Sequence, residues 1–290
     1  MNSEPSQSLS KITKNILNQY GIKLNKNLGQ NYLIDKNKRD QIINFANLDK
    51  NDTVLEIGTG IGTLTIELAK RAGKVIAIEQ DSNIAKILNE RLENEKIDNV
   101  ELINDDALNV EFPKFNKIVS NLPYQISSPI TFKFLNYDFD LAILMYQKEF
   151  ARRMNGTVGS KDYSRLSAML YFKCNVETLT DVSSESFIPK PKIDSTVVKL
   201  TPKENKISQD DFKIYSNFTK ALFQHRNKKI RNALIDSRHV ICKLDKKEMK
   251  EKINYIESED INEYLKKRVI AIKPEEILFL SKELNPILNE

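Results

Sequence analysis

Short apolar runs alternate with amphipathic stretches over residues 53–147 of the chain. The runs have the length of buried strands, and each stretch between them places apolar residues at helical spacing over about a dozen positions. Buried strands that alternate with helices are typical of a parallel, doubly wound α/β sheet. We therefore expect a Rossmann-like sheet with strands at 53–58, 74–78, 100–103, 117–120 and 141–147.

The pattern differs on either side of this region. Before it, apolar residues at helical spacing over residues 9–20 predict an amphipathic helix that ends at Gly21. Asp35 is placed to cap a further helix that follows it. After the region, two more strands are expected near 176–182 and 195–200.

Beyond Pro202 the sequence has no strand-like runs and becomes helical and basic. We expect a domain of residues 1–202, of which 1–20 form an extension with the amphipathic helix, and a small helical domain of residues 203–290. Residues 220–252 contain eleven lysines and arginines against four acidic residues. Such a concentration is found on ordinary solvated helices, but beside aromatic residues it favours a nucleic-acid contact.

Polar or glycine residues follow four of the predicted strands. Gly58, Glu79, Asp106 and Asn121 each stand at or just beyond the carboxyl end of a strand. Ligands of doubly wound sheets bind outside these ends. We therefore expect the four residues to lie around one site.

The glycine-rich turn Gly58-Thr59-Gly60-Ile61-Gly62 is weak evidence when taken alone. A dinucleotide fingerprint has glycine at its sixth position, where this chain has Thr63. Glu56, inside the preceding strand, would place negative charge near a pyrophosphate. The charges therefore favour a cationic nucleoside without phosphate, such as S-adenosylmethionine.

Two acidic residues suit the other parts of such a donor. Glu79 is placed to accept from a pair of ribose hydroxyls. Asp106 is placed to accept from the adenine amine. Both residues could instead be simple strand-end caps, but their coincidence with the glycine turn favours a binding site.

The motif Asn121-Leu122-Pro123-Tyr124 predicts the acceptor. An adenine amine is a weak nucleophile because its lone pair is delocalised into the ring. The Asn121 side-chain carbonyl and the Leu122 backbone carbonyl can hold both amine hydrogens and direct the lone pair toward a methyl group. Pro123 fixes the backbone direction, and Tyr124 offers a ring for the base to stack on. The rate would come from orientation and electrostatics.

Composition narrows the class of protein. The 290 residues are 40% hydrophobic and 29% charged, with a net charge of +5. No apolar run reaches the roughly 18 residues of a membrane helix, so a cytoplasmic protein without membrane contact is expected. Cys174 and Cys242 predict reduced packing thiols. His225 and His239 have no metal-ligand spacing, so we expect no metal.

Together the motifs identify the chain, after residue 20, as a member of the ribosomal RNA adenine dimethyltransferase family, the KsgA group. The resemblance is specific because all the motifs occur in the family's order. The segment Phe223–Lys229 resembles the archaeal and eukaryotic branch. Tyr32 stands where phenylalanine is commoner, and Thr59 where proline is common. The matching segments are Leu28–Leu33, Glu56–Gly60, Asp106-Ala107, Asn121–Ser127 and Phe187–Ser195.

The resemblance also implies roles for individual residues. The target adenine would lie between Tyr124 and Phe187, with Asn121, Leu122 and Pro123 completing the catalytic site. Donor contacts are expected from Gln30, Asn31, Leu33, Gly58, Gly60, Glu79, Asp106 and Asn121. The distribution of positive charge, and not the resemblance, predicts RNA contacts from Lys190, Lys192, Arg226, Lys228, Lys229 and Arg231. For Lys190 and Lys192 taken singly, an ordinary solvated surface position is an equally good interpretation.

The function implied is dimethylation of two adjacent adenosines in a hairpin near the 3′ end of small-subunit rRNA, by a monomer acting on the assembling 30S-type or 40S-type particle. One alternative is the sister group that modifies large-subunit rRNA and confers macrolide resistance, whose motif usually has isoleucine at the position of Leu122. Another is an assembly factor that mainly binds the immature subunit. A third, an oxidoreductase, would bind NAD.

Overall fold

A computed structural model describes residues 8–22, 30–204 and 207–289 of the chain. The first residues of the expected N-terminal extension lie outside these ranges. So do Leu28 and Gly29, which begin the motif that ends at Leu33.

Within the described ranges, nine strands form two sheets. The larger sheet has seven strands in the order β4-β3-β2-β5-β6-β9-β7, and the smaller one pairs β1 with β8. The strands are β1 (Tyr32–Leu33), β2 (Thr53–Ile57), β3 (Lys74–Glu79), β4 (Val100–Asn104), β5 (Lys117–Asn121), β6 (Leu141–Gln147), β7 (Cys174–Val182), β8 (Phe187–Ile188) and β9 (Ser195–Pro202).

The predicted parallel sheet is confirmed. β2 pairs in parallel with both β3 and β5, β3 pairs in parallel with β4, and β5 with β6. β9 then adds to β6 in the antiparallel direction. The apolar residues of the central strands, such as Leu55, Ile118 and Ile143, are fully buried. Burial on both faces explains why these strands read as unbroken apolar runs.

The smaller sheet was not predicted, because each of its strands has only two residues. Tyr32 pairs with Ile188 and Leu33 with Phe187, in the antiparallel direction. Strands this short carry no periodic pattern, so only their tertiary pairing defines them.

In the part of the chain that the structure describes, six α-helices accompany the strands up to residue 154. Asp35 caps α2 as predicted, since its carboxylate accepts from the Lys38 N–H (3.1 Å). Asp81 caps α4 in the same way. The helices are α1 (Leu9–Gln19), α2 (Lys36–Phe45), α3 (Thr65–Arg71), α4 (Ser82–Asn94), α5 (Ser127–Phe134) and α6 (Lys148–Met154).

Of the remaining helices, the first precedes β7 and the others follow β9, as expected. No helix within the described ranges is long and apolar enough to cross a membrane. The remaining helices are α7 (Arg165–Lys173), α8 (Gln209–Phe223), α9 (Ile230–Asp236), α10 (Lys246–Asn254), α11 (Glu259–Lys266) and α12 (Pro274–Asn289).

The chain divides into two compact units, and the division differs from the expected one in one segment. The first unit comprises the described residues up to Ala151 together with Val176–Pro202. The second comprises Arg152–Asn175 and the described residues from Lys203 onward. The segment 152–175 therefore packs with the C-terminal helices rather than with the residues on either side of it.

Buried hydrogen bonds hold this segment in the second unit. The Tyr163 hydroxyl donates to the Ile272 carbonyl (2.8 Å), and the Tyr215 hydroxyl donates to the Ala168 carbonyl (2.7 Å). The Gly159 N–H donates to the Ile270 carbonyl (2.9 Å). Apolar periodicity does not report such pairings, so the sequence placed a single boundary near residue 203.

Asp52 ties the start of β2 to the start of β5. Its carboxylate accepts from the Lys117 ammonium (2.9 Å), the Asn116 amide (2.9 Å) and the Asp49 N–H (2.7 Å). Burial alone would raise the pKa of the Asp52 carboxyl, but these three donors outweigh it and hold that pKa below its ordinary value.

We expect Asp52→Asn to lower the free energy of unfolding at pH 7 by about 1–3 kcal/mol. Because the folded-state pKa is depressed, the stabilisation is present above the unfolded-state pKa of about 3.9 and is lost as the pH falls through the folded-state pKa. Denaturant titrations at pH 7 and pH 3 should therefore show a smaller difference between wild type and variant in acid. Asp98→Asn, at an exposed position, is the control and should match wild type at both pH values.

Candidate functional site

One pocket opens at the carboxyl ends of β2, β3, β4 and β5. The parallel register brings these ends together, as the topology rule predicts. Its wall contains most of the residues proposed from the sequence: Gln30, Asn31, Leu33, Gly58, Gly60, Glu79, Asp106, Asn121, Leu122, Pro123 and Tyr124.

The glycine turn makes close contacts with two other parts of the wall. Gly58 has φ +73°, and a Cβ built on it would lie 2.8 Å from the Cγ and Cδ atoms of Pro123. Gly60 has φ +54°, and its Cβ would lie 2.8 Å from the Tyr32 ring. These approaches are too short for any side chain. The turn therefore needs glycine both for its backbone conformation and for its packing.

Glu79 presents a carboxylate whose position is fixed by backbone donors. The Gly60 N–H donates to its Oε2 (2.9 Å), and the Asp81 N–H donates to its Oε1 (3.0 Å). Burial raises the pKa of the Glu79 carboxyl, and these N–H groups oppose the rise. Each carboxylate oxygen has a further lone pair for a ligand hydroxyl.

Glu56 is the most deeply buried acid of the pocket wall, at 2% exposure. Its Oε2 has no hydrogen-bond partner among the described residues. Burial raises the pKa of the Glu56 carboxyl to about 8. A buried, unsatisfied carboxyl is stabilised by a cationic neighbour, so the wall suits a ligand with positive charge.

Asp106 opens a tight turn after β4. Its Oδ1 accepts from the Leu108 N–H (2.9 Å), while its backbone carbonyl accepts from the N–H groups of Asn109 (2.9 Å) and Val110 (3.1 Å). The side chain thus caps the turn and also lines the pocket. The capping and binding interpretations of Asp106 are compatible.

Asn121 stands at the end of β5 with its amide orientation set by a neighbour. Its Nδ2 donates to the Asn31 backbone carbonyl (3.1 Å). With the nitrogen used in this way, Oδ1 is the atom available to accept from a ligand. The residue before it, Ser120, donates its hydroxyl to the Ile57 carbonyl (2.7 Å) and ties β5 to β2.

Tyr124 is half-buried and held at its hydroxyl. The Tyr124 and Ser195 hydroxyls lie 2.6 Å apart and share a hydrogen bond. Burial raises the pKa of Tyr124, so the phenol is neutral at physiological pH. Its ring is fixed beside Asn121 in the pocket wall, where a base could stack.

Phe187 lies elsewhere. It is 2% exposed, pairs with Leu33 across the small sheet, and packs in a hydrophobic cluster that includes Ile42 and Val197. The structure does not place Phe187 in the wall of this pocket, because the β1–β8 pairing turns its side chain into the core. Its expected stacking on the adenine remains a prediction that requires the ring to leave this position.

The pocket wall also contains residues that the sequence did not propose as ligands, among them Tyr32, Thr59, Gln80, Ala107 and Gln125. Tyr32 is 5% exposed, and its hydroxyl has no hydrogen-bond partner among the described residues. The only signal for it was the departure from the family's commoner phenylalanine. Gln30, which was proposed, donates its Nε2 to the Asp81 carboxylate (3.2 Å).

The residues expected to bind RNA divide into two groups. Four of the lysines are exposed, and two of these, Lys192 and Lys229, form no ion pair with another described residue. The others have partners within the protein: Lys190 with Glu185, Lys228 with Asp236, Arg231 with Asn254, and Arg226 with the carbonyls of Ser160 and Lys161.

Arg226 belongs to the second group most clearly. Its Nη2 donates to Lys161 O (3.0 Å) and Ser160 O (3.4 Å), and its Nε is buried. The geometry therefore favours a structural role for Arg226, although charge counting had grouped it with the RNA contacts.

Comparisons with known proteins place the chain among rRNA-modifying enzymes. A family model described as ribosomal RNA adenine dimethylase matches residues 21–268. The chain is 50% identical over 276 residues to a probable ribosomal RNA small subunit methyltransferase A from Methanosphaera stadtmanae, covering 95% of this chain and 97% of that protein.

Two solved structures are similar over most of the chain. A dimethyladenosine transferase from Plasmodium falciparum has a TM-score of 0.72 and 32% identity, covering 88% of this chain and 98% of its own. The 23S rRNA methyltransferase ErmE has a TM-score of 0.59 and 28% identity, covering 88% of this chain and 99% of its own.

We expect Gly58→Ala to destabilise the protein by about 2–4 kcal/mol, since the new methyl group would overlap the Pro123 ring in addition to straining the backbone. Gly21→Ala is the matched control: Gly21 also has a positive φ (+58°), but its Cβ would meet no atom of the described residues within 4 Å. The control should lose only about 1 kcal/mol. Equal losses of unfolding free energy in urea for the two variants would contradict the close packing at Gly58.

Proposed function

The chain belongs to the ribosomal RNA adenine dimethylase family, and from this membership we propose how it acts on RNA. It is an S-adenosylmethionine-dependent rRNA adenine dimethyltransferase. Its substrate is small-subunit rRNA, and its targets are the exocyclic amines of two adjacent adenosines in a hairpin near the 3′ end. Each amine receives two methyl groups.

The observation that carries this proposal is the contact between the glycine turn and the Asn121–Tyr124 motif. Gly58 belongs to the part of the wall suited to a donor, and Pro123 to the part suited to an acceptor base. Their close approach supports a single pocket for both substrates. Methyl transfer requires this arrangement because the two reacting atoms must approach in line.

The wall residues fit the methyl donor. S-adenosylmethionine supplies a methyl carbon activated by a sulfonium. In the proposal, Glu79 accepts from the ribose hydroxyls while the backbone holds its carboxylate. Asp106 accepts from the adenine amine. Glu56 faces the cationic part of the donor, and that positive charge would lower the pKa of the Glu56 carboxyl and favour its ionised form.

Asn121 and Leu122 activate the acceptor amine without a strong base. The Asn121 Oδ1 and the Leu122 carbonyl accept the two amine hydrogens, which draws the nitrogen lone pair out of the ring. The nitrogen then forms a bond to the methyl carbon while the carbon–sulfur bond breaks and its electron pair stays on sulfur. The methylated nitrogen is cationic and releases a proton to water.

The second methylation changes the hydrogen bonding. After the first transfer and proton loss, the amine has one hydrogen, so one of the two acceptors loses its partner. The Asn121 side chain keeps its orientation through its hydrogen bond to the Asn31 carbonyl, so its Oδ1 stays in place to accept a hydrogen. We propose that Asn121 keeps the remaining hydrogen.

The relatives support small-subunit rRNA over large-subunit rRNA as the substrate. The relative named for the small subunit is 50% identical, and the structural match to the dimethyladenosine transferase is higher than the match to the 23S rRNA enzyme. We further propose that a monomer acts on the assembling particle, with Lys192 and Lys229 on RNA phosphates.

We expect Asn121→Ala to reduce methyl transfer at least about a hundredfold, because it removes an acceptor that acts on the reacting nitrogen. The measurement is incubation of undermethylated small subunits with labelled donor, followed by mapping of the modified nucleotides. Asn51→Ala, at an exposed position, is the control. Label at other nucleotides, or none with wild type, would refute the proposed function. If Asn121→Ala abolishes methyl transfer but leaves subunit binding and any growth role intact, the result would favour an assembly factor.

The two groups of basic residues should behave differently. We expect Lys229→Gln to weaken RNA binding and to reduce the salt slope by about one, as loss of one phosphate contact does. Arg226→Gln should instead lower the free energy of unfolding by about 1–3 kcal/mol, because two carbonyls lose their donor. Binding titrations at several salt concentrations and urea titrations distinguish the two effects. If Arg226→Gln changed the salt slope and Lys229→Gln did not, Arg226 and not Lys229 would be assigned to RNA binding.

A further inference from the structure

Lys133, near the end of α5, holds the turn that follows β4. Its ammonium donates to the backbone carbonyls of Ala107 (2.9 Å), Leu108 (3.2 Å) and Val110 (2.5 Å). The same nitrogen lies 4.4 Å from the centre of the Phe112 ring. One side chain thus satisfies three carbonyls that have no helix to continue into.

The turn that Lys133 holds is the one that carries Asp106. The Asp106 carboxylate and carbonyl accept from the N–H groups of residues 108–110, and Lys133 donates to carbonyls of the same segment, 107–110. Asp106 and Ala107 both line the pocket. The position of Asp106 in the wall therefore depends on a cation that the pocket wall does not include.

A second residue near the end of α5 supports the same turn. The Tyr137 hydroxyl accepts from the Phe112 N–H (3.3 Å) and donates to the Glu111 carboxylate (2.9 Å). Phe112 also packs against Phe134 of α5, with ring centres 6.1 Å apart. The turn and the helix are therefore joined by polar and aromatic contacts together.

The start of the same helix belongs to the acceptor side of the site. The Asn121–Tyr124 motif leads through a short 3-10 turn, Tyr124–Ile126, directly into α5 at Ser127. The helix thus begins just after the acceptor motif and ends one residue after Lys133, which holds the Asp106 turn. It links the two halves of the pocket independently of the contact between Gly58 and Pro123.

We propose that Lys133 is a positioning residue for the adenine of the methyl donor, acting through Asp106. The inference rests on the proposed function, in which Asp106 accepts from the adenine amine. Without Lys133, the three carbonyls lose their donor and the turn can relax, which moves the Asp106 carboxylate away from the amine. Lys133 itself does not contact either substrate.

The test compares two ligands in calorimetric binding experiments. One is S-adenosylhomocysteine, and the other is its analogue in which hydrogen replaces the adenine 6-amino group. Lys133→Met should weaken the first about tenfold, the size expected for one hydrogen bond to a charged group. It should change binding of the second less than twofold, because that ligand offers Asp106 no amine. Lys133→Arg should retain most of the affinity.

Lys114→Met, at an exposed position shortly after the turn, is the matched control and should bind both ligands like wild type. If Lys133→Met does not fold, Lys133→Gln, which keeps one donor, carries the same comparison. Methyl transfer at saturating donor should be unchanged, so the effect should appear in KM and not in kcat.

Three results would overturn the inference: equal weakening of both ligands, which indicates a general structural role; unchanged binding of S-adenosylhomocysteine; or a fall in kcat alone. Failure of the donor assignment within the proposed function is distinguishable, since wild type itself would then not bind S-adenosylhomocysteine.

Discussion

The candidate site depends on a glycine at position 58. Because Gly58 has no side chain, the Pro123 ring packs directly on its backbone. This contact sets the distance between the glycine turn and the Asn121–Tyr124 motif, which we propose to receive the methyl donor and the base respectively. The same residue adopts a left-handed conformation that turns the chain after β2. A single position therefore fixes both the shape of one loop and its separation from another, and transfer between two bound molecules is sensitive to that separation.

Around this contact the polar groups are only partly satisfied within the protein. Glu79 is held by backbone donors before any ligand arrives, which limits the reorganisation that binding requires. Glu56 and Tyr32 have buried polar atoms without partners among the described residues. Unsatisfied buried groups are costly, so a ligand that bonds to them gains affinity from relieving that cost. The Glu79 carboxylate is thus held in place before a ligand binds, whereas the buried polar atoms of Glu56 and Tyr32 are left for a ligand to satisfy.

The sequence was sufficient for the features that depend on local pattern. Strand length and apolar continuity predict β2 to β6, and the topology rule then brings Glu79, Asp106 and Asn121 together. It was insufficient where a role is decided by a distant partner. A charge count could not show that Arg226 bonds to the carbonyls of residues 160–161. Nor could a motif show that Phe187 pairs with Leu33 across strands too short to carry a pattern. In both cases the deciding information lies in the tertiary contact.

The packing of residues 152–175 with the C-terminal helices has a consequence for how the chain can be divided. The segment leaves the ribosome before the residues that complete its packing, including the carbonyl that pairs with the buried Tyr163 hydroxyl. Its buried polar groups therefore lack these partners until synthesis of the chain is nearly finished. For the same reason the helical unit is not an appendage that evolution or an experimenter can remove at residue 203. A chain cut there would retain a helix and a loop whose partners had been deleted.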